Sequence, residues 1–237
     1  MCVTRPDVSV YTQAVARIGG LGSSHEIVLG LVPPGSVVLD VGCASGYLAG
    51  ALYQRGAKAV DGLEFDPIEG EAARAHCRRV EIGSVGDPAT VEALSDGVYD
   101  VIVCADVIEH LADPSAALSN LLSKLKPDGT FVISVPNVAH YSVRLALLRG
   151  RFRYEDLGLL DRTHLRFFTH ETLLELLEGL GLRVGHDEFT YRPFRVEAAL
   201  SLVPLLRNVR ERYLTKLVAH RRGLLAYQFV VSASRRR

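Results

Sequence analysis

The stretch SVVLDV, Ser36 to Val41, is β-branched and apolar on both faces of an extended chain. A strand at a wetted sheet surface alternates apolar with polar residues. One that is apolar throughout needs cover on both sides, which a parallel sheet flanked by helices provides. Further short extended runs follow: KAVDGLE, RRVEIGS, YDVIVCA and TFVISVPN. Helical segments separate them. One spans Tyr47 to about Arg55, and others open at Asp66-Pro67, Asp87-Pro88 and Asp113-Pro114. Aspartate caps a helix start well, and proline is tolerated at the first helical position. The Asp113-Pro114 helix is expected to run to Lys126, with KPDG as a turn.

The rhythm changes after Asn137. Residues 138–168 are rich in Arg, Leu and aromatics and contain no clear strand. THETLLELLEGLG reads as a helix capped by Thr169 and stopped by Gly181, and LRVGHDEFTY and LLAYQFVVSA read as two more strands with a basic helix between them. The expected fold class is α/β: a seven-stranded, mostly parallel sheet with helices on both faces and a cap inserted after strand five. One domain is expected, with an N-terminal helical segment (1–35), a strand-and-helix core (36–137), a cap insert (138–168) and C-terminal helices and strands (169–237).

The length of 237 residues, 48% of them hydrophobic, supports one substantial core. Lys and Arg number 27, as do Asp and Glu, so net charge gives no pull toward nucleic acid. Charge is nevertheless uneven: six arginines lie between Arg144 and Arg166, and the segment from Leu205 onward is basic, patterns of solvated faces or of surfaces that collect anions. Cys2, Cys43, Cys77 and Cys104 have neither metal-finger nor disulfide spacing. No signal-like stretch and no apolar run near the roughly 20 residues of a membrane span is evident, so a cytoplasmic protein is expected.

VLDVGCASGYLA reads as strand, glycine loop, helix. Gly42 and Gly46 allow a tight turn and a close ligand approach. Glu64 ends the second strand, 18 residues past Gly46, where an acid can accept hydrogen bonds from two ribose hydroxyls. A dinucleotide fingerprint would be GxGxxG; here the spacing is GxxxG, without the middle glycine that admits a pyrophosphate. The pattern points to a nucleoside ligand without phosphates.

These residues carry a resemblance. VVLDVGCASGYLA resembles the first motif of class I S-adenosylmethionine-dependent methyltransferases, VDGLEFDP their second, and the YDVIVCADVIEHLADP to SVPN region their fourth and fifth strands. The resemblance implies a Rossmann-like sheet and S-adenosylmethionine as cofactor. It places Asp40, Gly42, Cys43, Ala44 and Gly46 around the methionine portion, Glu64 on the ribose, Phe65 against the adenine, Ser84 and Val85 near the adenine edge, and Ala105 and Asp106 with Val107 along the pocket floor. Many relatives have Gly-Asp where this chain has Gly83-Ser84; Asp87 is the nearest carboxylate that would replace the missing one. Tyr11 and His25 are candidates to fold over the cofactor.

DVIEHLADP follows strand four, where a methyl acceptor approaches. Methyl transfer needs alignment and removal of the acceptor proton. His110 suits the role of base, with Glu109 or Asp113 orienting it. A second reading stays open: ubiquinone-pathway and small-RNA methyltransferases have a Glu-x-x-Glu-His pattern here that binds a divalent metal. By that resemblance Asp106, Glu109, His110 and the more distant His164 of DRTHLRFFT would hold Mg, Mn or Zn. A third is structural, with Glu109 and His110 shaping the pocket and His164 packed in a turn. Catalytic candidates are therefore His110, Glu109 and His164. Arg162 and Arg166 flank His164 and suit an anionic acceptor, and Asn137 either contacts substrate or caps a helix.

The function implied is O-methylation of a small-molecule acceptor, anionic or glycosylated, in a sugar or secondary-metabolite pathway. RNA 2′-O-methylation, N-methylation and a non-enzymatic cofactor-binding scaffold are the competing readings. A nucleic-acid partner and a membrane span are not expected; a homodimer is compatible.

Overall fold

The computed structural model describes residues 23–190 and 222–236. Helix α1 (Ser23–Leu31) leads into β1 (Val37–Val41), α2 (Tyr47–Gln54), β2 (Ala59–Glu64), α3 (Pro67–Ala73), β3 (Arg79–Ile82), α4 (Pro88–Glu92) and β4 (Tyr99–Ala105). A single 3-10 turn, Ile108–His110, precedes α5 (Pro114–Leu122) and β5 (Leu125–Pro136). Then come α6 (Tyr141–Leu148), α7 (His170–Gly179), β6 (Leu182–Thr190), α8 (Arg222–Leu225) and β7 (Gln228–Arg235). Tyr11, Cys2 and the basic helix expected between the last two strands lie outside the described residues.

The strands form one seven-stranded sheet in the order β3-β2-β1-β4-β5-β7-β6. The pairs from β3 through β5 are parallel, and β7 runs antiparallel between β5 and β6. Both sheet faces are covered, as SVVLDV requires. Val38 is fully buried with Val28, Leu48 and Leu52 of α1 and α2, while its neighbour Leu39 is fully buried on the opposite face with Leu118 and Leu121 of α5. Strand order reverses between β1 and β4, and in such sheets ligands bind beyond the carboxyl ends of the strands at that point.

The Asp-Pro starts behave as their chemistry dictates. Asp66, Asp87 and Asp113 each accept a hydrogen bond from a backbone amide in the first turn of α3, α4 and α5, with proline at the first position. Thr169 and Thr172 form a reciprocal capping box on α7. Two local expectations are corrected. Helix α5 ends at Leu122 rather than Lys126, and KPDG lies within β5, where the pairing with β4 jumps from Tyr99–Leu125 to Val101–Thr130. The reason is tertiary. The Lys124 ammonium is buried and donates to the Leu94 carbonyl and to Asp96, and Arg235 of β7 donates to the carbonyls of Leu122, Leu125 and Lys126. Within the insert, the helix that Asn137 was a candidate to cap is α6, but its N-cap is His140, which accepts from the Ser142 amide. The helix packs Val143 with Leu159 and Leu160 into a small cluster of their own.

Candidate active site

The glycine loop leaves β1 with Gly42 and Gly46 both in the left-handed region, φ 69° and 81°. A Cβ at Gly42 would lie 2.7 Å from Val107 Cγ2, and one at Gly46 would lie 2.9 Å from His76 Cβ. Both positions therefore need glycine for conformation and for space. The loop is stitched to β2: the Gly42 amide donates to the Leu63 carbonyl at 2.7 Å and the Ala44 amide to Glu64 Oε2 at 2.8 Å. The other carboxylate oxygen, Oε1, accepts from the Asp66 amide at 2.9 Å. Glu64 is thus oriented through both oxygens, each of which keeps acceptor capacity for a hydroxyl.

Asp40 is 1% exposed, and its Oδ2 meets no hydrogen-bond donor. Burial and then the Glu64 charge push its carboxyl up to about 8. A buried acid with an unpartnered oxygen is suited to a cationic ligand, so the pocket fits a positively charged nucleoside such as S-adenosylmethionine. Phe65 is half exposed and directly follows Glu64 at the carboxyl end of β2. Tyr47 at the start of α2 and His25 of α1 complete this side, the Tyr47 hydroxyl lying 3.2 Å from His25 Nε2. Burial and then the charges of Asp40, Asp106 and Glu64 raise the Tyr47 phenol, which places it among the three acids.

Other expected cofactor residues differ in detail. The Cys43 side chain is buried and turned away toward β2: a Cβ on Gly62 would lie 2.6 Å from its sulfur and 3.2 Å from that of Cys77. Its backbone is tied into the loop, the amide donating to the Leu63 carbonyl and the carbonyl accepting from the Gly46 amide. Val85 is 6% exposed and belongs to the core. The Ser84 hydroxyl accepts from the Gly86 amide. Asp87, the alternative carboxylate, uses one oxygen on the Ala89 amide and the other on the Thr90 hydroxyl, so it is a helix cap.

Ala105 ends β4, and Asp106 follows with φ 55°, one of two non-glycine residues at positive φ among those described. Its carboxylate accepts from Ser134 Oγ at 2.7 Å and from Gln228 Nε2 at 3.0 Å. Hydrogen bonds from β5 and β7 thus fix the turn that carries the chain out of β4. Neither Ser134 nor Gln228 was evident from sequence, because each reaches the site through sheet pairing with distant strands.

The turn delivers Glu109 and His110 against a loop of the insert. The Leu165 and Arg166 amides donate to the Glu109 carbonyl at 2.8 and 2.9 Å, and the Arg166 guanidinium donates to the Ala112 carbonyl. The ligating atoms of Glu109, His110 and His164 lie within 4.8 Å of one another, and the two imidazoles meet edge to face at 4.9 Å between centroids. Glu109 is 1% exposed and neither of its carboxylate oxygens accepts a hydrogen bond; His164 Nδ1 is likewise buried and unpartnered. Burial, reinforced by Asp106 and Asp161, holds the Glu109 carboxyl well above the usual range, and burial and then His110 hold His164 low. His110 Nδ1 lies 3.2 Å from the Thr163 carbonyl oxygen and 3.1 Å from Thr163 Oγ1.

Three of the four expected metal ligands are therefore brought together. Asp106 is not among them, its carboxylate being engaged by Ser134 and Gln228. One carboxylate and two imidazoles fit a divalent cation of the Mn-to-Zn group better than an all-oxygen magnesium site. Asp113 caps α5 and does not orient His110. Arg166 is held by Ala112 and Arg162 by Asp156, so neither guanidinium stands unengaged for an anionic acceptor. The Asn137 side chain donates to the Ala226 carbonyl and accepts from the Ala139 amide, a tie between β5 and the loop before β7.

A family model described as a methyltransferase domain matches residues 17–186. An enzyme named ubiquinone biosynthesis O-methyltransferase from Xanthomonas campestris pv. campestris is 30% identical over 182 residues, covering 71% of this chain and 72% of the relative. Its namesake from Xanthomonas axonopodis pv. citri is 29% identical over 178 residues, covering 72% and 73%. Among solved structures, a TehB-like SAM-dependent methyltransferase from Corynebacterium glutamicum superposes with a TM-score of 0.60 at 20% identity, over 97% of this chain and 98% of that one. A magnesium protoporphyrin IX methyltransferase from Synechocystis with bound SAH gives 0.58 at 18% identity, over 95% and 84%.

Proposed function

Because the chain belongs to the methyltransferase-domain family of class I S-adenosylmethionine-dependent enzymes, we propose that it methylates a hydroxyl oxygen of a small-molecule acceptor, with the His110 imidazole taking the hydroxyl proton. The observation that carries this reading is the convergence of Glu109, His110 and His164 beyond the carboxyl end of β4, beside the Asp40–Glu64 cradle. The relatives named as O-methyltransferases support oxygen as the acceptor atom.

When bound, the cofactor supplies an electrophilic methyl group on a sulfonium: a carbon–oxygen bond forms as the carbon–sulfur bond breaks, and the sulfonium becomes a neutral thioether. The chain's own residues prepare that exchange. Glu64 holds the ribose hydroxyls, Asp40 balances positive charge in a buried setting, and Gly42 and Gly46 let the backbone approach. Asp106, fixed by Ser134 and Gln228, sets the direction in which the following turn presents His110. Alignment of the acceptor oxygen and proton removal are what remain for the protein to contribute.

A second reading is favoured by the unpartnered oxygens of Glu109 and Nδ1 of His164. Glu109, His110 and His164 would then hold a divalent cation, which would act as a Lewis acid that lowers the acceptor hydroxyl's pKa. The test is turnover on a panel of phenols, catechols and sugars, in the presence and absence of a chelator. His110→Ala is expected to lower turnover by about 10²-fold or more with cofactor affinity within a factor of two, the range for loss of a general base. Unchanged turnover rejects His110. Activity abolished by chelator and restored by Mn or Zn selects the cation; activity indifferent to chelator selects the base.

A further inference from the structure

The geometry points to Asp161 and Thr163 as positioning residues that lock the His110 imidazole in the Nδ1–H form, so that Nε2 carries the lone pair. This rests on the reading of His110 as the group that works on the acceptor; either role proposed for it, base or ligand, needs a lone pair at a defined nitrogen.

The argument is one of donors and acceptors. The Thr163 carbonyl oxygen can only accept, so the His110 Nδ1 lying 3.2 Å from it must be the donor. Thr163 Oγ1, 3.1 Å from the same nitrogen, would by itself allow either direction. That freedom is removed by Asp161. The Thr163 hydroxyl lies 2.7 Å from Asp161 Oδ1, and a carboxylate oxygen can only accept, so the hydroxyl's one proton is committed there. What Oγ1 offers His110 is a lone pair, and again Nδ1 must supply the hydrogen. Both contacts thus favour one tautomer, and Asp161 removes the one donor that could compete for Nδ1, as the hydrogen bond on one ring nitrogen sets the state of the other.

The supporting frame is rigid. Asp161 is 1% exposed, and its Oδ1 also accepts the Thr163 amide at 2.8 Å, which fixes Thr163 relative to the carboxylate. The next residues are fastened to the Glu109 carbonyl through the amides of Leu165 and Arg166, so the loop and the 3-10 turn bearing His110 move as one. The loop that gives His164 to the cluster therefore also sets the chemistry of His110. A carboxylate–hydroxyl–imidazole chain does here what a direct carboxylate–imidazole contact does in other catalytic sites.

The test reads the tautomer itself. The full chain, labelled with 15N in histidine, is examined by long-range proton–nitrogen correlation about two units above the ordinary imidazole pKa of about 6.5, with His110 assigned by its absence in His110→Gln. The expected wild-type pattern is a pyrrole-type Nδ1 and a pyridine-type Nε2. Asp161→Ala frees the Thr163 hydroxyl proton to point at the ring, and the reverse tautomer is expected to become detectable. Asp161→Asn keeps an oxygen acceptor for Thr163 and is expected to retain the wild-type pattern. Calorimetry with S-adenosylmethionine, expected within twofold of wild type for both variants, shows that the fold is intact. A pyridine-type Nδ1 in the wild-type chain overturns the proposal without any variant. An Asp161→Ala spectrum identical to wild type overturns the role of Asp161. Failure of the base reading appears elsewhere, as undiminished turnover in His110→Ala, and leaves the tautomer measurement standing.

Discussion

Asp40 and Glu64 sit on neighbouring strands and do opposite things with their charge. Glu64 has a backbone amide on each oxygen, and in the proposed function it receives neutral hydroxyls. Asp40, buried and pushed up to about 8, is largely protonated at neutral pH until a cation arrives. A raised carboxyl means that the folded chain holds its proton more tightly than the unfolded one. The contribution of Asp40 to stability therefore falls as pH rises from about 3.8 to about 8. Cofactor binding follows the opposite course. Affinity for S-adenosylmethionine is expected to rise with pH up to about 8 and then level off, with proton release at pH 7 visible as a dependence of the calorimetric heat on the buffer; Asp40→Asn should remove that dependence. Glu64→Ala is expected to weaken cofactor binding by about 1–3 kcal/mol, roughly 5- to 150-fold, the range for hydrogen bonds to a charged group. Both residues were legible in the sequence because backbone geometry dictates them: the glycines force the loop and the strand end fixes the acid. Asp161, Thr163, Ser134 and Gln228 were not. Their roles depend on which distant segments meet, and nothing in DRTH or in AYQF announces a partner in the turn after β4.

Elements were legible where their signals are local. Asp-Pro pairs started helices α3, α4 and α5, because a short carboxylate satisfies the first amides and proline forgoes one it could not bond. The capping box on α7 is a similar case. Thr169→Ala is expected to cost about 1 kcal/mol in urea unfolding, with Thr169→Ser recovering most of it. The end of α5 was misread because its cap is not in the neighbouring sequence. Arg235 arrives from β7 to bind the carbonyls of Leu122, Leu125 and Lys126, and the chain can then leave the helix early and extend through KPDG. The bounds of α6 were not legible because Arg144 and the exposed Leu145, Leu147 and Leu148 blur its period; only the Val143 face is buried.

At the scale of the molecule, the two ends of the strands have different work. The carboxyl ends carry the glycine loop, Glu64 and the Glu109 cluster. Toward the other end of the sheet, Asp61, with its side chain wholly buried, joins β2 to β3 and β4 through Arg78, Arg79 and Tyr99 at 2.8 to 3.0 Å. Burial alone would raise its carboxyl; hydrogen bonds from Arg78 and Tyr99 and the charges of both arginines outweigh that and hold it below the ordinary range. A depressed folded value contributes stability that is present above the unfolded value of about 3.8 and is lost as pH falls through the folded one. Asp61→Asn is expected to lower stability at pH 7 by about 2 kcal/mol. That is less than is typical for breaking a buried pair, because both guanidiniums keep about half their surface in water. The deficit should shrink as urea titrations are repeated below pH 4. The seven-stranded plan itself was legible from alternation of strand and helix. The placement of β7 between β5 and β6 was not, since pairing order is a property of the closed sheet.

That placement has a consequence in time. Gln228, which holds Asp106 in its strained turn, belongs to the seventh strand in chain order, made after the other six, and β6 has no neighbour in the sheet until that strand slides in beside β5. The first five strands can assemble on a growing chain while the ribosome is still at work, because each needs only segments already made. The acceptor side is finished last. The segments that carry Gly42, Gly46 and Glu64 are thus made well before the strand that holds Asp106 in place.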